Sequence, residues 1–346
     1  MTHSSLISIE NLFQTWEEFK CGKRNKRDVQ VFERHLEDNL FDLHLALKNK
    51  SYKHGGYLEF YVNDPKRRHI HKAQVCDRIV HHLLYKYLYS LFDKTFIYDS
   101  YSCRLDKGTH RAVRRLEKYT RIVSRNYTNN CWALKLDIKK FFDSIDHRIL
   151  LKLIAKSVND HEILSLVKIV IDSYSSSVVE KLKGEVLDKT RTISVRQQGI
   201  PLGNLTSQIF ANIYLNGLDQ FIKHNLKIKY YLRYADDFLT LNNNRQYLHH
   251  CFETLQQFLS RELKLEIHPA KVSLRKFSWG IDFCGYIVLP RYILPRAKTK
   301  RRIFKKVLKS GINDQSLQSY LGYFSHANSY KITENLENIY WSTSEI

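Results

Sequence analysis

With 346 residues, 43% hydrophobic and 26% charged, the chain has ample material for a core of two or three domains, which argues against wholesale disorder. Its 56 Lys and Arg against 35 Asp and Glu give a formal charge of +21 and a pI near 9.6, a surplus that calls for an anionic partner, nucleic acid first, over a merely soluble basic protein. Six cysteines lack C-x-x-C spacing, which argues for small buried or half-buried thiols in a reducing compartment and against a disulfide or zinc framework, and no apolar run reaches the length of a membrane span, so a cytoplasmic protein without a membrane partner is expected.

Residues 5–50 read as two helices, one with Ile9, Leu12, Phe13 and Trp16 on its apolar side, the other with Phe32, Leu36, Leu40, Leu43 and Leu47. The segment KCGKRNKRD between them reads equally as a solvated linker or a phosphate-contacting arm. LEFYV has strand composition and is broken by Asn63-Asp64-Pro65. Near His69, His71, His81 and His82 no cysteine or carboxylate cluster completes a metal site, so a structural zinc is not expected. Residues 72–92 form an apolar helical stretch and 109–125 a basic one. In the latter, Arg111, Arg114, Arg115 and Lys118 share one side, read as a template- or primer-contacting face in preference to a solvated one. CWALKLDIKKFF reads as a buried strand ending in an acidic, aromatic turn, followed by the helix HRILLKLIAKSV. Helices are expected over 161–180 and 204–225, with a hairpin or loop over 181–195. KYYLRYADDFLTL reads as strand–turn–strand, 245–262 as an amphipathic helix, and LKLEI and FCGYIVL as short strands. A basic helix over 296–310 and at least one more over 314–341 close the chain.

Joining nucleotides by phosphoryl transfer requires stabilising both the attacking and the leaving oxygen. Two divalent ions about 3.5–4 Å apart do so, held by carboxylates. Such carboxylates belong at the ends of neighbouring buried strands. Asp236 and Asp237 lie between the apolar runs YYLR and FLTL, and Asp137 ends the apolar run ALKL. A polar turn and a helix N-cap are the bland alternatives. Asp143, Ser144 or Asp146 is a better cap for the helix that follows, which leaves Asp137 unexplained by capping.

The chain resembles reverse transcriptases over most of its length and in that family's order. The blocks are KRRHIHKAQVCDRIVHHLL (66–84), DSYSCRLDKGTHRAVRR (99–115), LKLDIKKFFDSIDH (134–147), GIPLGNLTSQIFANIYLNGLD (199–219), YLRYADDF (231–238), LKLEIHPAKV (263–272) and GIDFCGYIV (280–288). The resemblance implies an α+β right-hand polymerase fold. Residues 1–50 would form an N-terminal helical extension, 51–290 the fingers and a palm with an antiparallel sheet, and 291–346 a short helical thumb. It implies an RNA-directed DNA polymerase using two Mg²⁺ ions, with Mn²⁺ as the expected substitute. Asp137, Asp236 and Asp237 would be both catalytic residues and metal ligands, with the Ile138 carbonyl as a further ligand. Lys66 and Arg68 would meet the incoming dNTP, and Phe142 would be the steric gate against a ribose 2′-hydroxyl.

Where cellular and intron-type relatives carry Q-G-x-x-x-S-P, this chain has Leu202-Gly203-Asn204-Leu205-Thr206-Ser207-Gln208, which resembles reverse transcriptases of diversity-generating retroelements. Leu202, Gly203 and Gln208 would then lie beside the nucleotide. The enzyme would copy a template-repeat RNA into cDNA with errors at template adenines, working with a structured non-coding RNA and a small basic accessory protein. Retron, phage-defence and group II intron-like reverse transcriptases are the nearest alternatives, and a catalytically inactive RNA-binding scaffold a distant one. Arg301, Arg302 and Lys305, within a basic surface running from Arg296 to Lys309, are expected to track the template–primer duplex.

Overall fold

The computed structural model describes residues 2–63, 66–174, 197–310 and 312–344. In chain order the helices α1 (His3–Leu6), α2 (Ile9–Lys20), α3 (Arg27–Glu33) and α4 (Leu36–Lys48) precede a hairpin of β1 (Tyr57–Val62) and β2 (Arg68–Ala73). Next come α5 (Val75–Phe92), α6 (Thr109–Val123), β3 (Trp132–Asp137), α7 (Phe141–Ser144), α8 (His147–Ala155), α9 (His161–Asp172) and α10 (Leu205–Gln220). Then follow β4 (Tyr231–Tyr234), β5 (Asp237–Asn242), α11 (Arg245–Glu262), β6 (Ser273–Lys276), β7 (Ile281–Phe283), β8 (Tyr286–Leu289) and β9 (Tyr292–Pro295). The helices α12 (Ala297–Ser310), α13 (Asp314–Phe324) and α14 (Tyr330–Ser344) end the described chain.

These elements make two compact units, each assembled from separated stretches. The first comprises Met1–Ile97, Lys139–Gln220 and Phe258–Glu266; the second comprises Tyr98–Ile138, Phe221–Gln257 and Ile267–Ile346. In the first unit α5 packs on α2 and α10, and α8 on α9 and α10. Local chemistry starts several of these helices. Ser8 caps α2 by accepting from the Asn11 N–H, and Asp146 caps α8 by accepting from Arg148 and Ile149. With Asp146 as that cap, Asp137 is left free of capping duty, as expected from its place in the sequence.

The second unit holds a four-stranded antiparallel sheet in the order β4-β5-β3-β6. Its alternate residues Ala133, Leu232, Leu239 and Leu241 join Leu116 of α6 and Phe283, Tyr286 and Val288 of a second small sheet, β7-β8-β9, in one apolar core. The tight β7–β8 turn at Cys284-Gly285 has φ of +48° and +90°, the left-handed pair that a two-residue hairpin needs. The three last helices enclose a satellite core of Ile303, Val307, Leu317, Phe324, Leu336 and Tyr340.

Several sequence expectations need correction. The N-terminal segment makes four helices where two were expected. The i, i+4 step from Phe32 to Leu36 runs across a break at Arg34-His35, which apolar periodicity cannot register. Residues 72 and 73 belong to a strand, and the helix starts at Val75. LKLEI forms only an isolated bridge, Ile138 to Ile267, and FCGYIVL is divided between two strands by its turn. β6 and β9, four residues each, had no alternation long enough to see. The helix begun at His161 ends at Asp172, and residues 175–180 with the hairpin expected over 181–195 lie outside the described residues. All six cysteines are free, but Cys21 and Cys103 are exposed, contrary to the expectation of buried or half-buried thiols. Among the described residues no helix is long and apolar enough to cross a membrane.

Candidate active site

The second unit brings Asp137, Asp236 and Asp237 together by strand register. β4 and β5 are joined by the two-residue turn Ala235-Asp236, because Tyr234 is the partner of Asp237. β3 is the next strand along, and its last residue, Asp137, lies directly opposite Asp237. Ala235 adopts φ +55°, a left-handed conformation that costs a non-glycine residue about 1–2 kcal/mol. That strain sits between the two strands that present the carboxylates. Ile138 continues from Asp137, and its N–H points at the Asp236 carbonyl at 3.4 Å.

Three basic side chains surround this cluster, and none was singled out from sequence. Lys135 leaves β3 to reach the Asp237 carboxylate at 2.9 Å and donates to the Asp282 carbonyl at 2.7 Å. Lys271 donates to Asp137. Arg233, wholly buried, donates to the Ala235 carbonyl at 3.1 Å and to Ser100 Oγ at 3.0 Å, so a guanidinium braces the turn from behind. Ser100 is held in turn, since the backbones of Asp99 and Tyr101 bond to Arg233 on either side of it. The signal for Arg233 was present: a cation within an apolar strand needs a partner.

Burial is the main force raising the Asp237 carboxyl, to about 6; Lys135 opposes the rise, and the negative charges of Asp137 and Asp236 add to it. Asp237 Oδ1 is buried with no hydrogen-bond partner among the described residues. A desolvated oxygen without a donor, inside a group of three carboxylates, fits a hard divalent cation. The residues present therefore suit Mg²⁺. Beside them a cavity of about 240 Å³ is lined by Lys135, Asp137, Lys271, Ser273, Arg275 and Asp282.

The six residues expected at the nucleotide lie in the first unit. Arg68 starts β2 and is exposed, as is Lys66. β2 is stitched to the Leu202 segment: the His71 N–H donates to the Leu202 carbonyl at 2.8 Å. Asn204 completes the seam, accepting from the Ala73 N–H at 3.2 Å and donating to the His71 carbonyl at 2.7 Å. Gly203, at φ +112°, lies so close that a β-carbon would come within 2.7 Å of Ile70 Cγ2. The Phe142 carbonyl accepts from the Ile200 N–H at 2.8 Å, which ties that half-buried ring to the same segment. Gln208 is exposed on the first turn of α10. Asn204, read only as a helix start, is thus a clamp.

Of the expected nucleic-acid residues, Arg111, Arg114 and Lys118 are exposed on α6, Arg114 with Glu117 beside it at 3.2 Å. Arg115 departs from the expected shared face. Its Nε donates to buried Asp99 at 2.8 Å, which makes it part of the support behind β4. Arg301, Arg302 and Lys305 are exposed on α12, whereas Arg296 is held by Asp282, its Nε donating at 2.8 Å.

Comparison with known proteins agrees with this geometry. Residues 53–288 match the family described as "Reverse transcriptase (RNA-dependent DNA polymerase)". Protein YkfC of Escherichia coli K12 is 22% identical over 242 residues, 61% of this chain and 60% of that protein. The group II intron-encoded protein LtrA of Lactococcus lactis subsp. cremoris is 22% identical over 320 residues, 74% of this chain and 50% of that protein. This chain therefore spans about half to three-fifths of the length of these two relatives. The apo telomerase structure from Candida tropicalis superposes with a TM-score of 0.52 at 12% identity, covering 83% of this chain and 57% of that one. That likeness concerns the fold, and it agrees with the α+β right-hand polymerase class expected from the sequence.

Proposed function

This chain belongs to the reverse transcriptase (RNA-dependent DNA polymerase) family, and from that premise we propose that it extends a primer along an RNA template, taking dNTPs and making cDNA, at Asp137, Asp236 and Asp237. One observation carries the reading: strand register sets Asp137 opposite Asp237, whose buried Oδ1 lacks a partner. The three carboxylates would hold two Mg²⁺ ions, with the Ile138 carbonyl as a further ligand and Mn²⁺ as the substitute. Bound there, the ions would stabilise charge on the attacking and leaving oxygens of the transfer. Lys135 and Lys271 balance the carboxylates and present cationic groups along the cavity to a polyphosphate. Arg233 holds the turn in position. Phe142 serves as the gate against ribonucleotides, and Lys66 and Arg68 neutralise the incoming triphosphate. Residues 1–50, 51–290 and 291–346 are assigned as extension, fingers with palm, and thumb.

We further propose that the template is a template-repeat RNA and that errors fall at its adenines, diversifying a target gene in the cytoplasm with a structured RNA and a small basic accessory protein. The support is Leu202, where a Gln amide would hydrogen-bond the nucleotide. An apolar side chain enforces correct geometry less. Leu202→Gln should reduce errors opposite adenine about tenfold, the worth of one hydrogen bond of roughly 1.4 kcal/mol. An unchanged error rate in sequenced cDNA would count against it. A group II intron-like role is the second reading, favoured by the match to LtrA over 74% of this chain.

Primer extension on an adenine-containing RNA with Mg²⁺ and four dNTPs tests both levels. DNA with errors concentrated opposite adenine is expected. Accurate DNA would move the role to the intron, retron or defence groups, and RNA binding without synthesis, even with cognate RNA and accessory protein, to a scaffold. The exposed charges of α12 are assigned to the duplex backbone, so RNA affinity should fall steeply with salt. Removing Arg301 and Lys305 together should flatten the log–log slope by about 1.5, at 0.7–0.9 per phosphate contact. A salt-insensitive affinity would contradict this.

A further inference from the structure

We propose that the β1–β2 hairpin carries a second metal site, in which Glu59, His69 and His71 bind one divalent transition ion of the Zn²⁺ class, separate from the Asp137–Asp236–Asp237 cluster. The antiparallel register pairs Glu59 with His71 and Tyr61 with His69, so with a period of two all four side chains stand on one face of the ribbon. One ligand-bearing atom from each of Glu59, His69 and His71 lies within 4.8 Å of the others. His69 Nε2 is 3.0 Å from Glu59 Oε2, and His71 Nε2 is 3.8 Å from Glu59 Oε1. Tetrahedral zinc with bonds near 2.0–2.1 Å places its ligand atoms about 3.3 Å apart, so side-chain movements without a change of backbone close the set. Proximity in sequence hid this carboxylate, since Glu59 reaches the histidines only through strand pairing.

A plain Glu59–His69 ion pair does not account for His71. That residue is 8% exposed, and its Nε2 faces Glu59 Oε1 at 3.8 Å, too long for a hydrogen bond and a gap that an ion between them would close. A polar ring so placed is costly unless it binds something. The surroundings also restrict the rings. Tyr61 stacks on His69 at 4.6 Å between centroids, and Tyr174 meets His71 edge-on at 4.8 Å. The ligand set of two imidazoles and one carboxylate suits zinc and its neighbours better than magnesium, and it leaves a coordination position open.

The site would tie β1 to β2. A two-stranded ribbon is marginal by itself, and this one leads directly into exposed Lys66 and Arg68. An ion shared by both strands would therefore fix the hairpin that presents those cations.

The test uses the full chain carrying Asp236→Ala and Asp237→Ala, so that the carboxylate cluster does not compete, with Mg²⁺ in excess. Zn²⁺ is titrated by calorimetry, and Co²⁺ is followed by its visible absorption, which reports nitrogen ligation. One ion per chain is expected. Glu59→Gln and His69→Ala, both at accessible side chains, should each weaken binding at least about tenfold, with unchanged circular dichroism in the metal-free state. No uptake of Zn²⁺ near one equivalent, or a loss smaller than tenfold in either variant, would overturn the proposal.

Discussion

Asp236→Ala combined with Asp237→Ala is expected to cut primer extension by at least about 10³-fold, because both carboxylates of the β4–β5 turn leave the cluster at once. The backbone of the turn is held independently, by Arg233 on the Ala235 carbonyl and by the β3–β5 register, so the variant should stay folded. Asp237→Asn alone adds a thermodynamic signature. The folded Asp237 carboxyl is raised to about 6 from an ordinary 3.8, chiefly by burial. A raised carboxyl binds its proton more tightly in the folded state, so in chelator its contribution to stability is full below about pH 4 and is lost as pH rises through about 6. Relative to wild type, Asp237→Asn should therefore gain thermal stability in EDTA between about pH 4 and 6 and hold that gain above. Mg²⁺ should stabilise wild type most above pH 6, since cation and proton compete for one site, and should leave Asp237→Asn nearly unmoved. Thermal melts across pH with and without Mg²⁺ check this. Equal Mg²⁺ stabilisation of the two proteins would place the cation elsewhere.

Arg233→Met should produce the second large effect. It removes the guanidinium donors from the partly buried Ala235 carbonyl and from buried Ser100 Oγ, at about 1–3 kcal/mol for each group left unsatisfied. A loss of about 2–4 kcal/mol in urea unfolding follows. Because Arg233 acts through the turn, the maximal rate should fall by about 10–100-fold with little change in the apparent affinity for dNTP. Arg233→Lys keeps the charge but cannot fork to both oxygens, so it should recover stability more than rate. Wild-type rates in both variants would show that the turn needs no such brace.

The carboxylates were legible because apolar strands flank them, and that pattern, with Asp-Asp at a turn, points to a buried sheet end. The amphipathic helix over 245–262 was legible for the same reason of unbroken period. What was hidden depended on pairing between strands. Lys135 looks like any strand lysine until β5 sets Asp237 beside it, and Lys271 until it reaches Asp137. Arg115 shares helical spacing with Arg111 and Lys118, yet Asp99 draws it out of the solvent face. Glu59 is separated from its histidines by a hairpin turn. The break between α3 and α4 escaped because an i, i+4 apolar step looks the same across two capping residues as within one helix.

The central claim, RNA-templated DNA synthesis at the three-carboxylate cluster, is tested most directly by titrating Mg²⁺ into metal-stripped wild type on a primed RNA template, with Asp137→Asn in parallel. The predicted result is synthesis that vanishes in EDTA, returns with Mg²⁺ in wild type only, and leaves RNA affinity equal in both proteins. Synthesis by Asp137→Asn at the wild-type rate, or wild-type synthesis indifferent to Mg²⁺ removal, would contradict it.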